Sequence, residues 1–274
     1  MSRRRHVLPG FGLTMGYTWI YLGVLVLLPL AGLALKTGTM GWGSFWAAIS
    51  SPQVVASYKV SFGISFLAAL TNGVLGLIAA WVLARYEFPG RRVLDALTDL
   101  PFAMPTAVAG IALTSLYGPH EWIGGLLAPW GIKVSYTLVG VYVALTFIGL
   151  PFVVRTLQPV IADLSAETEE AAATLGAGRW RTFWRVIFPS LLPALLTGVT
   201  LAYGRAVGEF GSVIFIAGNR PFHTEITPLL IVSKLESYDY NGAAALGFVM
   251  LAASFLIVLV SNGLQGWGAR RRVA

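Results

Sequence analysis

Cysteine is absent from the chain, and charge is scarce, with 11% of the 274 residues being Asp, Glu, Lys or Arg. The first absence excludes a disulfide framework, a thiolate metal site and a cysteine nucleophile, and leaves the redox compartment open. The second excludes a soluble globule of this size, which needs more polar surface than these residues supply. Histidine is rare too: His6, His120 and His223 are scattered without metal-ligand spacing and read as loop residues. None of Lys36, Lys59, Lys133 and Lys234 follows a glycine, so no Walker A loop and no nucleotide site of that kind is present. An HExxH helix, a GxSxG elbow and paired carboxylates within an apolar run are also missing, which removes support for an intramembrane enzyme. The lack of a repeat with a period of roughly 20 to 50 residues argues against a secondary transporter built by internal duplication.

What the chain does have is apolarity, 56% of its residues, and 31 glycines. Apolar runs at about 17–35, 58–84, 97–117, 134–154, 189–217 and 242–264 predict six transmembrane helices, each matched to about 30 Å of hydrocarbon. The expected fold is an all-α integral membrane protein, with a segment at 1–16 before the first run and a basic tail at 265–274. The first run is read as a spanning helix rather than a cleaved signal, because it is long and ends without a clear small-residue cleavage site. Trp42, Trp46, Trp122 and Trp130 fall where interfacial aromatic belts fall. Pro101 and Pro105 predict a kink in the third run, which suits a path-lining helix and a merely bent packing helix equally. Asp99 is placed at the headgroup boundary. The stretch at 219–241 predicts a short helix lying on the membrane surface.

The net charge of +7 comes from basic residues beside the apolar runs, so the partner they imply is membrane lipid and not nucleic acid. Thirteen of the 19 basic residues lie in the two terminal segments and the loops at 85–95 and 155–185, and five lie in the opposite loops. Basic residues in short loops are retained in the cytoplasm, so both termini are expected inside.

The most charged stretch, 164–188, is helix-forming and interrupted once. Ser165 is a good N-cap, Glu167, Glu169 and Glu170 suit the positive end of a helix dipole, and Ala171 to Ala173 continue the helix. Gly176 is able to take the left-handed conformation that stops it, and Arg179 restarts a second helix. On physics alone this is a solvated amphipathic loop. Its spacing adds more: Glu170-Ala171-Ala172, three residues, Gly176, nine residues, Val186, one residue, Phe188-Pro189. That pattern resembles the EAA loop of ABC importer permeases, with Val186 and Phe188 in place of the usual Ile and Leu.

Three further stretches, at 99–113, 145–161 and 205–219, are similar to the sulfate/thiosulfate branch of these permeases, and within it to the T subunit. The resemblance implies the type I (MetI-like) importer permease fold in a cell inner membrane. It implies that Glu169, Glu170, Ala171, Ala172, Gly176 and Arg179 couple to an ABC ATPase dimer, which carries the ATP and magnesium. It further implies a homologous W-type permease as heterodimer partner and a periplasmic sulfate- or thiosulfate-binding protein, with no cofactor and no catalytic residue in this chain. A molybdate or tungstate permease stays open as the alternative, as does, in a different class, an ATP-independent transporter or channel. Arg205 and Glu209 are four residues apart inside the fifth run and are expected on one helix face, with Pro105 and Thr106 of the kinked third run, along the translocation path. An internal ion pair that only neutralises both is the alternative reading of Arg205 and Glu209.

Overall fold

The computed structural model describes residues 11–273, and of 264–273 only the helical backbone. The arginines at 3–5 and the side chains at 270–272, which contribute to the expected orientation, lie outside the described residues. The described residues form the helices α1 (Phe11–Gly38), α2 (Trp42–Ile49), α3 (Pro52–Arg85), α4 (Arg91–Thr98), α5 (Leu100–Ala103), α6 (Thr106–Tyr117), α7 (Trp122–Leu127), α8 (Leu138–Ala162), α9 (Ala166–Thr174), α10 (Arg179–Val207), α11 (Gly211–Ala217), α12 (Thr227–Glu236) and α13 (Tyr240–Val273).

Among the described residues five helices, and not six, are long and apolar enough to span: α1, α3, α8, α10 and α13. The run expected to span at 97–117 is broken. Met104 and Pro105 are extended between α5 and α6, because a proline crowds the residue before it out of the helical region. The 12 residues of α6 reach only about 18 Å. The fifth run is also redrawn. Its helix starts at Arg179 rather than 189, passes through Pro189 with a wide π turn at 183–187, and stops at Val207 instead of reaching 217.

Packing shows which way the broken segment travels. Asn72 of α3 abuts Gly149 of α8, and four residues further along both helices Gly76 abuts Val153, so α3 and α8 run parallel. The chain between Arg85 and Leu138 therefore has to return across the layer, and α4 to α7 supply that return in pieces. Gly198 against Val153 and Ala202 against Gly149 make α10 antiparallel to α8. Leu33 against Gly247, with Thr37 Oγ1 donating to Ala244 O at 3.4 Å one turn on, sets α1 antiparallel to α13.

These contacts follow from a stripe of small residues. On α3 the buried positions include Ser57, Ser61, Ser65, Ala68, Ala69, Asn72, Gly73, Gly76 and Ala80, at three- and four-residue spacing. Lipid tails are as apolar as leucine, so helices in a bilayer gain by close van der Waals fit, which small residues permit. A Cβ on Gly76 would come within 2.6 Å of Val153. The large apolar residues of α3, such as Leu67, Val74 and Ile78, point outward and are exposed. The amphipathic pattern of a soluble protein is thus inverted. Trp42, Trp46, Trp122 and Trp130 are exposed on the short helices α2, α7 and the turn after it.

The helix expected on the membrane surface within 219–241 is instead built into the protein. Thr227, Leu229 and Leu230 of α12 are buried against α3 and α13. The backbone N–H of Thr227 donates to Ser61 Oγ at 2.7 Å, and Ser61 Oγ and Ser57 Oγ lie 3.1 and 3.2 Å from Thr227 Oγ1. The hydroxyls of α3 thereby cap α12, which periodicity alone does not reveal.

Candidate functional site

The charged segment folds as helix, reversal, helix. Ser165 Oγ accepts from the N–H of Glu167 at 3.2 Å and caps α9. At the other end Gly176 has φ +77°, its N–H donates to Ala173 O at 2.9 Å, and the N–H of Ala177 donates to Ala172 O at 3.0 Å. This pair of bonds is a Schellman stop, which depends on the left-handed residue. The restart at Arg179 is the first turn of α10, so the reversal feeds directly into a spanning helix.

The six residues expected to couple divide by exposure. Glu169 pairs with Arg85 at the end of α3, and Arg85 stacks over Trp81 at 5.4 Å. Ala172 is buried, while Glu170, Ala171 and Gly176 are exposed. Arg179 lies apart from them, lining an apolar crevice between α3 and α10.

The four residues expected on the path lie at or beside two helix breaks that pack against each other. A Cβ on Gly211, at the start of α11, would lie 3.1 Å from Thr106 Cβ at the start of α6, and one on Gly110 would lie 2.8 Å from Ser212 Cα. The helices α6 and α11 thus lie side by side, with the break at Pro105 next to the break at 208–210. Arg205 Nη1 meets Glu209 Oε2 at 2.5 Å, with the Glu209 side chain 2% exposed and that of Arg205 34% exposed. Glu209 is not on the helix of Arg205, as expected, because α10 ends two residues earlier. Its other oxygen accepts from both the N–H and the hydroxyl of Ser212, at 2.9 and 3.0 Å. The carboxylate competes with helix continuation there and caps α11, which explains why the apolar run does not remain one helix.

A cluster that sequence reading missed sits toward the charged end. Arg155 of α8, which reads in the sequence only as a loop residue, forks onto Asp99 through Nε and Nη2 at 2.7 and 2.5 Å. Its Nη1 reaches Asp95 at 2.8 Å and Gln158 at 2.6 Å, and Gln158 Nε2 also donates to Asp95 at 3.1 Å. Partial burial raises the Asp95 carboxyl, but the hydrogen bonds from Gln158 and Arg155 outweigh it and leave the group below its usual range. Asp95 and Asp99 are four apart on the segment before Pro101, and that spacing is the signal that could have found them. The cluster fastens α4 and the start of the broken return to α8, the helix that runs into α9. Among the described residues no group of three or more His, Cys, Asp or Glu side chains is placed to hold a metal ion.

The family described as "Binding-protein-dependent transport system inner membrane component" matches residues 72–273. The Escherichia coli K12 protein named "Sulfate transport system permease protein CysT" is 51% identical over 269 residues, covering 98% of this chain and 97% of its own length. A protein of the same name from Synechocystis sp. is 49% identical, covering 92% and 88%. Among solved structures, a bacterial ABC transporter that imports alginate gives a TM-score of 0.76 at 18% identity, covering 92% of this chain and 93% of the other. The methionine ABC transporter MetNI, in inward-facing form, gives 0.60 at 17%, covering 84% and 99%. These last two likenesses speak to the fold.

Proposed function

The chain belongs to the family of binding-protein-dependent transport system inner membrane components, and on that premise we propose that it is the permease subunit of an ATP-driven importer of sulfate. The observation that carries the substrate class is near-full-length identity of about one half to sulfate transport permeases. The same reading extends to thiosulfate, an oxyanion of like shape and charge. We further propose that the ATP and magnesium reside in a separate ATPase dimer docked on α9, that a homologous W-type permease forms the other half of the path, and that a periplasmic binding protein delivers the anion. The alginate importer solved with a ligand-bound periplasmic protein supports an assembly of that kind.

In this reading Glu170 and Ala171 present an exposed, slim helix face to the ATPase, Gly176 sets the reversal, and Glu169 ties α9 to α3 through Arg85. Ala172 lets α9 lie close to the protein. Motion of α9 passes into α8 and α10, which respectively end and begin beside it. The path runs past the paired breaks, where Pro105 is exposed, Thr106 is half-buried and the guanidinium of Arg205 offers a dehydrating dianion a cationic surface. Glu209, held by Arg205 and Ser212, keeps that attraction from becoming a trap.

Two measurements test this. Purified from its native membrane, the chain should bring an ATPase with it, and labelled sulfate uptake should be competed by thiosulfate more strongly than by molybdate. An ATP-independent activity, or stronger competition by molybdate or tungstate, would overturn the respective part of the proposal. Orientation is tested separately. Reporter fusions after Arg92 and Arg181 should report cytoplasm, and fusions near Trp46 and His223 should report periplasm; the inverse pattern would place α9 outside and end the importer reading.

A further inference from the structure

Between α3 and the first turns of α10 lies an open crevice of about 370 Å³. Its floor is Leu77, Ile78 and Val82 of α3, and its wall is aromatic. Trp81 meets Phe183 edge-on at 5.9 Å, and Trp180 stacks on Phe183 at 6.4 Å. These rings brace one another, so the wall is preformed. Ile78 is 56% exposed and lies on the outward face of α3, in line with Val74. A crevice of this lining, at the level of a bilayer, is filled by hydrocarbon.

Its mouth is not apolar. Arg179 lines it, and no acidic side chain within ion-pair distance of Arg179 is found among the described residues. Nearby Arg85 is by contrast committed to Glu169 and to the face of Trp81. Arg181 and Arg185 are exposed on the same helical start. An uncommitted guanidinium above an acyl-sized groove, with an exposed tryptophan beside it, matches an anionic headgroup above its own chain; basic pockets between spanning helices on the cytoplasmic side hold such lipids.

We propose that this crevice is a binding site for an anionic phospholipid, with one acyl chain between α3 and α10 and the lipid phosphate on Arg179. A soluble anion would leave the groove unexplained, and a zwitterionic lipid, whose phosphate is already balanced by its own ammonium, would leave the net positive charge of Arg179, Arg181 and Arg185 uncompensated. The site makes Arg179 a lipid contact rather than part of the ATPase-docking face, and it anchors the reversal at Gly176 to the inner leaflet. It rests on the proposed orientation, in which the arginine-rich end is cytoplasmic.

The test is native mass spectrometry of the whole transporter complex, titrated with phosphatidylglycerol and with phosphatidylcholine. The intact protein should retain phosphatidylglycerol about fivefold more tightly, the worth of roughly 1 kcal/mol for one arginine near an anionic surface. Arg179→Gln should erase that preference while leaving retention of phosphatidylcholine unchanged, and Arg179→Lys should restore most of it. Ile78→Trp, which fills the groove from an already exposed position, should weaken retention of both lipids. An undiminished preference in Arg179→Gln would overturn the proposal. So would efficient cross-linking of Ile78→Cys, which becomes the single thiol of this chain, to another subunit of the complex, because the groove would then be a protein interface. Inverted reporter fusions would sink the orientation, whereas equal retention of the two lipids by the unsubstituted protein, with normal topology and a bound ATPase, would sink only the lipid site.

Discussion

Arg205→Gln should sharply reduce the yield of assembled complex, and the double variant Arg205→Gln with Glu209→Gln should recover the yield without recovering sulfate uptake. The single substitution leaves a carboxylate that is 2% exposed with only Ser212 to compensate it. Removing one partner of a buried pair costs roughly 3–5 kcal/mol, and the lower end applies because the Arg205 side chain is 34% exposed. In the double variant the buried charge is gone. The amide introduced by Glu209→Gln still has a carbonyl oxygen to accept the N–H of Ser212, so the cap of α11 survives.

The choice of glutamine is dictated by the structure. Exchanging the two residues would keep a pair, but an arginine in place of Glu209 has no acceptor for Ser212 and would set a cation at the start of α11. Loss of uptake in such an exchange would therefore report a broken cap as readily as a broken path. With both positions neutral and capped, uptake reports the loss of the charged pair without the loss of the cap. Sulfate uptake at the native rate in the double variant would make the pair purely structural and remove Arg205 from the path.

The limits of sequence reading fall along physical lines. Apolar runs locate α1, α3, α8, α10 and α13 because a bilayer demands long apolar helices with satisfied backbones, and such runs are visible without any knowledge of packing. Pro105 signals the break at Met104, although only as a kink, whereas the stop after Val207 is hidden, since Ser212 to Ala217 is as apolar as what precedes it. What starts α11 as a separate helix is the side chain of Glu209, and hydropathy carries no information about such caps. Arg155 reads as a loop residue because it is charged, and its real setting depends on Asp95 and Asp99 arriving from about sixty residues away. The helix α12 is legible as a helix, but its partners Ser57 and Ser61 lie on α3, so its burial is invisible. The charged reversal is the most legible feature of all. Its cap and its glycine act on neighbours within six residues, and local chemistry of that kind is written in local sequence, whereas the pairing of Glu169 with the distant Arg85 is not.

That locality makes the reversal testable with little disturbance elsewhere. Gly176→Val should leave the ATPase bound and hydrolysing ATP while uptake falls, and Gly176→Asn should retain most of the uptake. A Cβ at this position meets nothing within 4 Å, so no clash confuses the result. The effect comes only from φ +77°, which a β-branched residue resists and asparagine tolerates. Strain of this kind is worth on the order of 1–3 kcal/mol, which shifts a two-state equilibrium by roughly 5- to 150-fold against the Schellman stop. Losing the stop frees Ala172 O and Ala173 O and lets α9 run on toward α10, so that movement of the ATPase no longer turns into movement of the spanning helix. A drop in uptake for Val and Asn alike would point to exposed surface at Gly176 rather than backbone as the coupling feature. Equal, native uptake in both would show that the reversal has no part in coupling.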